Sequence, residues 1–221
     1  MKIKGAIFDM DGTLVDSLGT WKVLWRQVGE KFLGIKDFCP AEEIDKRVRT
    51  MIFRDAMAYF IDCYHLTCST DELVAFTQDG IENFYRYQAE AKAGAVALLK
   101  ALQAKGIPIC LASASEMRYV RIALEALDLA QYFNSVLSCA DLGTDKAKPD
   151  IYLLAAKQLG LSAPDVCVFE DSFVALETAK GIGFQTVGIF DANNFEQKRV
   201  RAASDFYLGE NRPLSDLIAL F

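Results

Sequence analysis

The sequence predicts an α/β protein with a doubly wound parallel sheet as its core and an inserted helical domain. Three observations lead to this prediction. Short, almost continuously apolar runs alternate with helical patterns over much of the chain. One long segment, residues 17–90, has helical periodicity and no clean strand. Polar residues directly follow the apolar runs, and open parallel sheets bind ligands at that edge.

The first strand is predicted over Gly5–Phe8, and the helical segment follows it. Apolar residues recur there at helical spacing, first at Trp21, Leu24, Trp25, Val28 and Phe32, then at Met57, Phe60, Ile61 and Tyr64. Asp16 or Ser17 is expected to cap the first of these helices. Ser69 or Thr70 is expected to cap a later one.

The remaining strands are predicted at residues 107–112, 135–138, 166–169 and 186–190, the last being the final clear strand. Helical patterns separate them and end near Gly106, Gly160 and either Gly181 or Gly183. We therefore assign residues 1–16 and 91–221 to the α/β core domain. Residues 17–90 are assigned to a helical cap domain.

Composition bounds the function. The chain has 221 residues, 52% of them hydrophobic and 24% charged, with a net charge of −6, so a basic nucleic-acid surface is not expected. No apolar run approaches the roughly 18 residues of a membrane helix, and the run that precedes Asp9 is too short for a signal peptide. We expect a soluble cytoplasmic protein with no nucleic-acid or membrane partner, and a monomer is favoured.

Cysteine and histidine usage points away from a soft metal site. None of the six cysteines forms a C-x-x-C pair, and Cys110 and Cys167 lie within apolar runs. We therefore expect free, mostly buried thiols. The single histidine, His65, cannot build a histidine-rich metal site and is expected to be structural.

Acidic and polar residues follow successive apolar runs. In chain order they are Asp9 and Asp11, Ser113, Asp141 with Lys146 beyond it, Glu170 and Asp171, and Asp191. Because the carboxyl ends of parallel strands share one edge of a sheet, these groups are predicted to converge. Clustered carboxylates repel one another unless a cation is present. Hard oxygen ligands without histidine or thiol favour Mg²⁺.

Each of these residues also has an ordinary structural interpretation. Asp11 could belong to a turn, Asp171 or Ser113 could cap a helix, and Lys146 could be solvated. A calcium loop beginning at Asp9 is disfavoured because its twelfth position is Thr20 and not glutamate. The joint occurrence of these residues at successive strand ends favours the functional interpretation.

Four sequence motifs resemble those of the haloacid dehalogenase (HAD) superfamily of phosphohydrolases. They are Asp9-Met10-Asp11-Gly12-Thr13, Ser113, Lys146 in K-x-x-P-D, and Glu170-Asp171. The resemblance covers the whole chain and implies a Rossmann-like core. The helical insertion resembles the cap of the branch that contains phosphatases and β-phosphoglucomutase. Family spacing selects Lys146 over Lys148, because the lysine stands four residues before the aspartate of P-D.

The resemblance implies roles for the two aspartates of the first motif. Asp9 would attack phosphorus and form an aspartyl-phosphate, which divides one hard step into two. Asp11 would protonate the leaving oxygen and later take a proton from water. Phosphate monoesters of small metabolites are the implied substrates.

The resemblance also implies a Mg²⁺ site and its supporting groups. The ligands would be Asp9, the Asp11 backbone carbonyl and Asp171, with Glu170 bound directly or through water. Lys146 would offset negative charge on the nucleophile and the phosphoryl group. Ser113 would hydrogen-bond a phosphate oxygen.

The helical segment would act as a lid that excludes water and contacts the substrate. Its cationic candidates are Arg47, Arg49 and Arg54. Such arginines more often form solvated helix faces. Arg49, in Val48-Arg49-Thr50-Met51, is the first choice for a substrate-binding group.

Two other functions compete with a phosphatase. Phosphosugar mutases of this branch carry a histidine near the start of the first cap helix. Here that stretch reads Ser17-Leu18-Gly19-Thr20-Trp21-Lys22, which disfavours a mutase and keeps it as the alternative. Receiver domains also combine an acidic cluster with a lysine and a hydroxyl. They are much shorter and lack a helical insertion after the first strand.

Overall fold

The computed structural model describes residues 2–48, 51 and 53–221. The chain divides into two compact units. One comprises Met1–Leu18 and Ala89–Phe221 and is called the core unit, and the other comprises Gly19–Gln88 and is called the helical unit. The helical unit and the predicted cap segment, residues 17–90, differ by two residues at each end.

A six-stranded parallel sheet forms the centre of the core unit. Its strands in chain order are β1 Gly5–Phe8, β2 Ile109–Ser113, β3 Ser135–Ser138, β4 Val166–Glu170, β5 Gln185–Ile189 and β6 Phe206–Leu208. Their spatial order is β3-β2-β1-β4-β5-β6, which is doubly wound with β1 beside the point where the order reverses. The predicted fold class is therefore confirmed.

Burial explains why the strands read as continuous apolar runs. Every residue of β1, β2 and β4 is buried, because these strands lie in the middle of the sheet with both faces covered. Phe8 lies in register with Leu111 on β2 and Phe169 on β4, and its ring stacks on that of Phe169 at 4.1 Å. This packing fixes the end of β1, where the first motif begins.

The helical unit contains the helices α1 Thr20–Val28, α2 Glu42–Val48, α3 Phe53–Tyr64 and α4 Thr70–Tyr87, with a π-helical turn Gly29–Leu33 after α1. No strand occurs in the described part of this unit, as predicted. Its apolar core is centred on Trp25, whose ring stacks on Phe60 at 4.4 Å. The predicted cap of a later helix is confirmed. The Ser69 hydroxyl oxygen accepts a hydrogen bond from the backbone N–H of Glu72. The Glu72 carboxylate accepts one from the backbone N–H of Ser69.

Helices of the core unit cover the sheet. They are α5 Ala95–Ala104, α6 Met117–Ala126, α7 Cys139–Leu142, α8 Asp150–Gln158, α9 Phe173–Gly181 and α10 Gln197–Ala203, with 3₁₀ turns at Ala130–Tyr132, Ala163–Asp165 and Leu214–Leu220. Gly106 and Gly160 follow α5 and α8 with φ of +69°. Glycine tolerates this left-handed conformation, so these helices end close to the predicted positions.

The structure differs from two of the sequence expectations about helices and strands. The residue before α1 is Gly19, and no side chain caps this helix, so the expected capping by Asp16 or Ser17 is wrong. The sequence prediction did not include β6, a three-residue edge strand. His65 lies just after α3 in a left-handed conformation with φ of 53°, and its side chain is exposed.

Other sequence expectations concern the thiols and membrane helices. All six cysteines are free, as predicted, and Cys110, Cys139 and Cys167 are buried. Within the described residues no helix has the length and apolarity needed to cross a membrane.

Candidate active site

The loop that follows β1 folds tightly and places two aspartates at the end of the strand. The backbone N–H groups of Leu14 and Val15 both donate to the Met10 carbonyl at 2.9 Å. The Gly12 N–H donates to the Val15 carbonyl at 2.9 Å, and the Asp9 N–H donates to the Phe169 carbonyl of β4 at 3.0 Å. The loop therefore lies at the switch point between β1 and β4, where doubly wound sheets bind ligands.

Lys146 joins the first and fourth motifs. Its ammonium group donates to Oδ1 of Asp9 and to Oε1 of Glu170, the latter at 2.5 Å. All three side chains are largely buried. Lys148, the other lysine of the K-x-x-P-D segment, is exposed and lies 3.8 Å from Asp145. The structure thus brings Lys146, and not Lys148, to the predicted nucleophile.

Glu170 is held by more than Lys146. Its Oε2 accepts from the backbone N–H groups of Asp171 at 2.8 Å and Ser172 at 3.1 Å. Both carboxylate oxygens are therefore engaged. Three donors around one buried carboxylate fix its orientation and lower the cost of burying its charge.

Asp171 lies against the loop that follows β1. Gly12 has a φ of +80°, and a β-carbon added to it would stand 2.6 Å from Oδ2 of Asp171. Glycine is therefore required both by the conformation and by the close approach. Thr13 Oγ1 donates to Oδ1 of Asp171 at 3.4 Å. Asn194 Nδ2 donates to the Asp171 carbonyl at 2.6 Å and faces Oδ2 at 3.5 Å.

Asp9, Glu170 and Asp171 form a group that could hold a metal ion. One oxygen of each lies within 4.8 Å of the others, and all three residues are buried. Lys146 supplies one positive charge against these three carboxyl groups, and Asp171 has no ion-pair partner within the described residues. A bound cation would offset the remaining negative charge, so the donor set fits a hard divalent ion.

Burial first, and the surplus of negative charge second, set the pKa directions of this group. Burial, and then the neighbouring Glu170, raises the pKa of Asp9 to about 8, although Lys146 opposes the shift. Burial, Glu170 and Asp9 raise the pKa of Asp171 well above its usual value. Burial would lower the pKa of Lys146, but the Asp9 and Glu170 carboxylates outweigh it and hold that pKa well above normal.

Asp11 is contacted by two hydroxyl groups. Ser17 donates to its Oδ1 and Ser115 donates to its Oδ2, both at 2.7 Å. Ser17, expected as a helix cap, contacts this carboxyl group instead. Ser115 is held in turn by its neighbours, since its backbone N–H donates to Ser113 Oγ at 3.0 Å and Ser138 donates to its carbonyl at 2.8 Å.

Ser113 is fully buried at the end of β2, the strand beside β1. Its oxygen accepts from Ser115, and its own proton has no acceptor within the described part of the chain. Such a hydroxyl retains a donor for an incoming oxygen atom.

Several residues that the sequence placed at the strand ends do not join this group. Asp141 is exposed on α7. Asp191 is buried, but it pairs with Lys92 at 2.7 Å. In the helical unit, Arg54 pairs with Asp71 at 2.5 Å, whereas Arg49 lies outside the described residues.

Sequence reasoning assigned no contact with the predicted site residues to four residues that make one: Thr13, Ser17, Ser115 and Asn194. Thr13 belongs to the first motif and Ser115 lies two residues after Ser113, so their hydroxyl groups gave a usable signal. Asn194 lies in the loop after β5, and nothing in the local pattern linked it to Asp171.

The fold and this site together define a class of protein. A doubly wound parallel sheet carries buried carboxylates, a lysine and hydroxyl groups at its switch point. Residues 3–183 match the model of the haloacid dehalogenase-like hydrolases. The chain belongs to this family, and the predicted family membership is confirmed.

Curated relatives of the chain are phosphatases. A phosphorylated carbohydrates phosphatase of Thermotoga maritima is 25% identical over 185 residues, which cover 84% of each chain. A phosphoglycolate phosphatase of Escherichia coli O157:H7 is 29% identical over 211 residues, with 87% of this chain and 83% of the relative covered. The family match and these relatives confirm the predicted enzyme class, a phosphoric monoester hydrolase.

Solved structures share the fold. A Thermotoga maritima protein provisionally named a β-phosphoglucomutase superimposes with a TM-score of 0.82 at 22% identity. The alignment covers 99% of this chain and 98% of the other. At this level of identity the likeness supports the architecture and does not discriminate between a phosphatase and a mutase.

Proposed function

We propose that the protein is a Mg²⁺-dependent phosphatase that hydrolyses a small phosphomonoester, such as a sugar phosphate, through an aspartyl-phosphate on Asp9. The observation that carries the proposal is the meeting of Asp9, Glu170 and Asp171, with Lys146 bonded to the first two and Asp11 on the same loop as Asp9. The names of the phosphatase relatives agree with this substrate class.

Asp9 is suited to act as the nucleophile. Lys146 donates to its Oδ1, and no hydrogen bond to its Oδ2 is found within the described residues. One oxygen is thus held while the other is free to attack. In the first step, an Asp9 oxygen bonds to phosphorus and the bond between phosphorus and the ester oxygen breaks. In the second, water attacks phosphorus, Asp9 is released and inorganic phosphate leaves.

Asp11 would manage the protons of both steps. It donates a proton to the departing ester oxygen and then accepts one from the attacking water, so each turnover restores its starting state. The hydroxyl groups of Ser17 and Ser115 hold its carboxyl group from both sides. This fixed geometry supports a positioned acid and base.

The metal site would comprise the Asp9 and Asp171 carboxylates and the Asp11 carbonyl. A bound Mg²⁺ would supply positive charge that stabilises the phosphoryl oxygens in the transition state. Glu170, whose carboxylate is oriented by Lys146 and by two backbone N–H groups, would bind the ion directly or through water. Ser113 and Lys146 would bind the other phosphoryl oxygens.

The helical unit would act as a lid and contact the part of the substrate beyond the phosphate, with Arg49 as the proposed anion-binding group. The competing mutase assignment requires transfer to a second sugar phosphate in place of water. The absence of a histidine in the stretch from Ser17 to Lys22 continues to favour hydrolysis.

The experiment is the near-isosteric substitution Asp9→Asn, with Asp141→Asn, at an exposed position of α7, as the matched control. Phosphate release from p-nitrophenyl phosphate and from a panel of sugar phosphates is measured with Mg²⁺ and with a chelator. We expect Asp9→Asn and chelation each to remove turnover, while Asp141→Asn leaves it unchanged. More than trace activity in Asp9→Asn, or activity that resists the chelator, would reject the proposal.

A further inference from the structure

The loop that joins β5 to α10 reaches the candidate metal site through one side chain, Asn194. Its Nδ2 donates to the Asp171 carbonyl at 2.6 Å and lies 3.5 Å from Oδ2 of the same residue. Its Oδ1 accepts from the backbone N–H of Glu196 at 2.9 Å. The amide therefore has only one orientation that satisfies both sides, with the nitrogen toward Asp171.

The loop itself is anchored by Asp191, which the sequence had grouped with the strand-end carboxylates. Its Oδ1 accepts from the backbone N–H of Asn193 at 2.8 Å. Its backbone carbonyl accepts from the backbone N–H of Asn194 at 3.1 Å and from the Gln197 side chain at 2.7 Å. These bonds form a compact turn at the end of β5. The turn fixes the position from which the Asn194 side chain extends.

A buried ion pair fastens this turn to the rest of the core unit. Lys92 lies 2.7 Å from Oδ2 of Asp191 and donates to the Phe190 carbonyl at 2.9 Å. The Asp191 side chain is 2% exposed and that of Lys92 is 15% exposed. The backbone N–H of Lys92 in turn donates to the Leu14 carbonyl in the loop that follows β1. Lys92 thus connects the turn to the loop that carries the proposed nucleophile.

We infer that Asn194 is a positioning residue for the metal ligand Asp171, an inference that rests on the proposed function. Gly12 and Thr13 border the Asp171 carboxylate, and Asn194 donates to the Asp171 backbone carbonyl and faces Oδ2. Asparagine suits this place because it donates hydrogen bonds without adding charge. A lysine there would compete with a cation for the Asp171 carboxylate, and an aspartate would repel that carboxylate.

The test uses the variants Asn194→Ala and Asn194→Leu in the full chain, the second keeping the side-chain volume. The matched control is Glu196→Ala in the same loop. Its exposed side chain pairs with exposed Arg199, and its backbone N–H still donates to Asn194 after the substitution. Mg²⁺ binding is measured by titration calorimetry without substrate. Melting temperature is measured in chelator, and turnover is followed as a function of Mg²⁺ concentration.

For both Asn194 variants we expect the Mg²⁺ dissociation constant to rise about tenfold or more, the usual effect of losing a group that orients a metal ligand. Turnover at saturating Mg²⁺ should stay within about threefold of the wild type, because the nucleophile and proton carrier are intact. The melting temperature in chelator should be unchanged, and Glu196→Ala should match the wild type throughout.

Other outcomes separate this inference from the proposed function. If the wild type binds Mg²⁺ and the Asn194 variants bind it equally well, the inference is overturned and the proposed function stands. A fall in melting temperature in chelator that accounts for the weaker binding would make the role merely structural and would also overturn it. If the wild type itself neither binds nor requires Mg²⁺, the proposed function fails first.

Discussion

Lys146 lies between Asp9 and Glu170 and donates a hydrogen bond to each carboxylate. One ammonium group thus connects the proposed nucleophile at the end of β1 with the acidic pair at the end of β4. In a buried site this contact orients Asp9 and offsets part of the charge that would otherwise oppose the approach of an anionic substrate.

We therefore expect Lys146→Met to lower turnover by about 100-fold or more, comparable to the loss of one preorganised donor in other active sites. Lys148→Met is the matched control, because Lys148 is exposed and its nearest charged partner, Asp145, is also exposed and lies 3.8 Å away. Steady-state kinetics of both variants at saturating Mg²⁺ give the comparison. An equal loss of turnover in the two variants would contradict the assignment of Lys146 to the active site.

The second prediction concerns Asp11. Asp11→Asn should slow hydrolysis of an alkyl phosphate by about 10²–10⁴-fold, the usual contribution of a positioned acid or base. A nitrophenolate leaving group needs no proton, so its release in the first step should suffer much less. Rapid-mixing measurement of nitrophenolate release isolates that step, and exposed Asp16→Asn serves as the control. The same loss of rate for both leaving groups would contradict the assignment.

The third prediction concerns Gly12. Gly12→Ala places a β-carbon 2.6 Å from Oδ2 of Asp171 in a residue whose φ is +80°. Gly106→Ala is matched in conformation, with φ of +69°, but has open space around the added carbon. Both variants should lose about 1–3 kcal/mol of unfolding free energy to backbone strain. Only Gly12→Ala should also weaken Mg²⁺ binding, measured by calorimetry. Wild-type Mg²⁺ affinity in Gly12→Ala would show that this contact has no part in shaping the site.

The fourth prediction concerns Arg49 and is based on sequence alone. Arg49→Ala should raise KM, or lower kcat/KM, for a large phosphorylated metabolite and leave p-nitrophenyl phosphate almost unaffected, because the small ester lacks a remote group. Arg54→Ala is the control, since Arg54 is exposed and already paired with Asp71. Kinetics on both substrates decide the matter. If kcat/KM falls by the same factor for both substrates, Arg49 supports the fold or the chemistry and not substrate choice.

The sequence was most informative where one physical constraint dominates. Gly5–Phe8 was predicted as a strand because a strand buried on both faces must be apolar throughout, and Asp9 then marked its end. Lys146 was selected by spacing within a motif. The structure adds that its ammonium group contacts carboxylates at the ends of two different strands, β1 and β4.

The sequence was least informative where a contact depends on distant segments. Ser17 carries a short hydroxyl side chain that suits a helix cap as well as a bond to Asp11, and local pattern cannot distinguish the two uses. Asn194 meets Asp171 only because β5 lies beside β4 and the following turn is anchored by Asp191. The edge strand β6 is too short for its three residues to show a period.

The two places where the chain leaves and re-enters the core unit are hydrogen-bonded to each other. The Asp16 N–H donates to the Glu90 carbonyl at 2.9 Å, and the Lys92 N–H donates to the Leu14 carbonyl at 2.8 Å. The intervening segment is thus an insertion whose two ends lie next to each other. The entropic cost of bringing the ends of such an insertion together grows only with the logarithm of its length. A change in the length of this segment is therefore expected to cost the core unit little stability, and the sheet with its carboxylates would keep its structure.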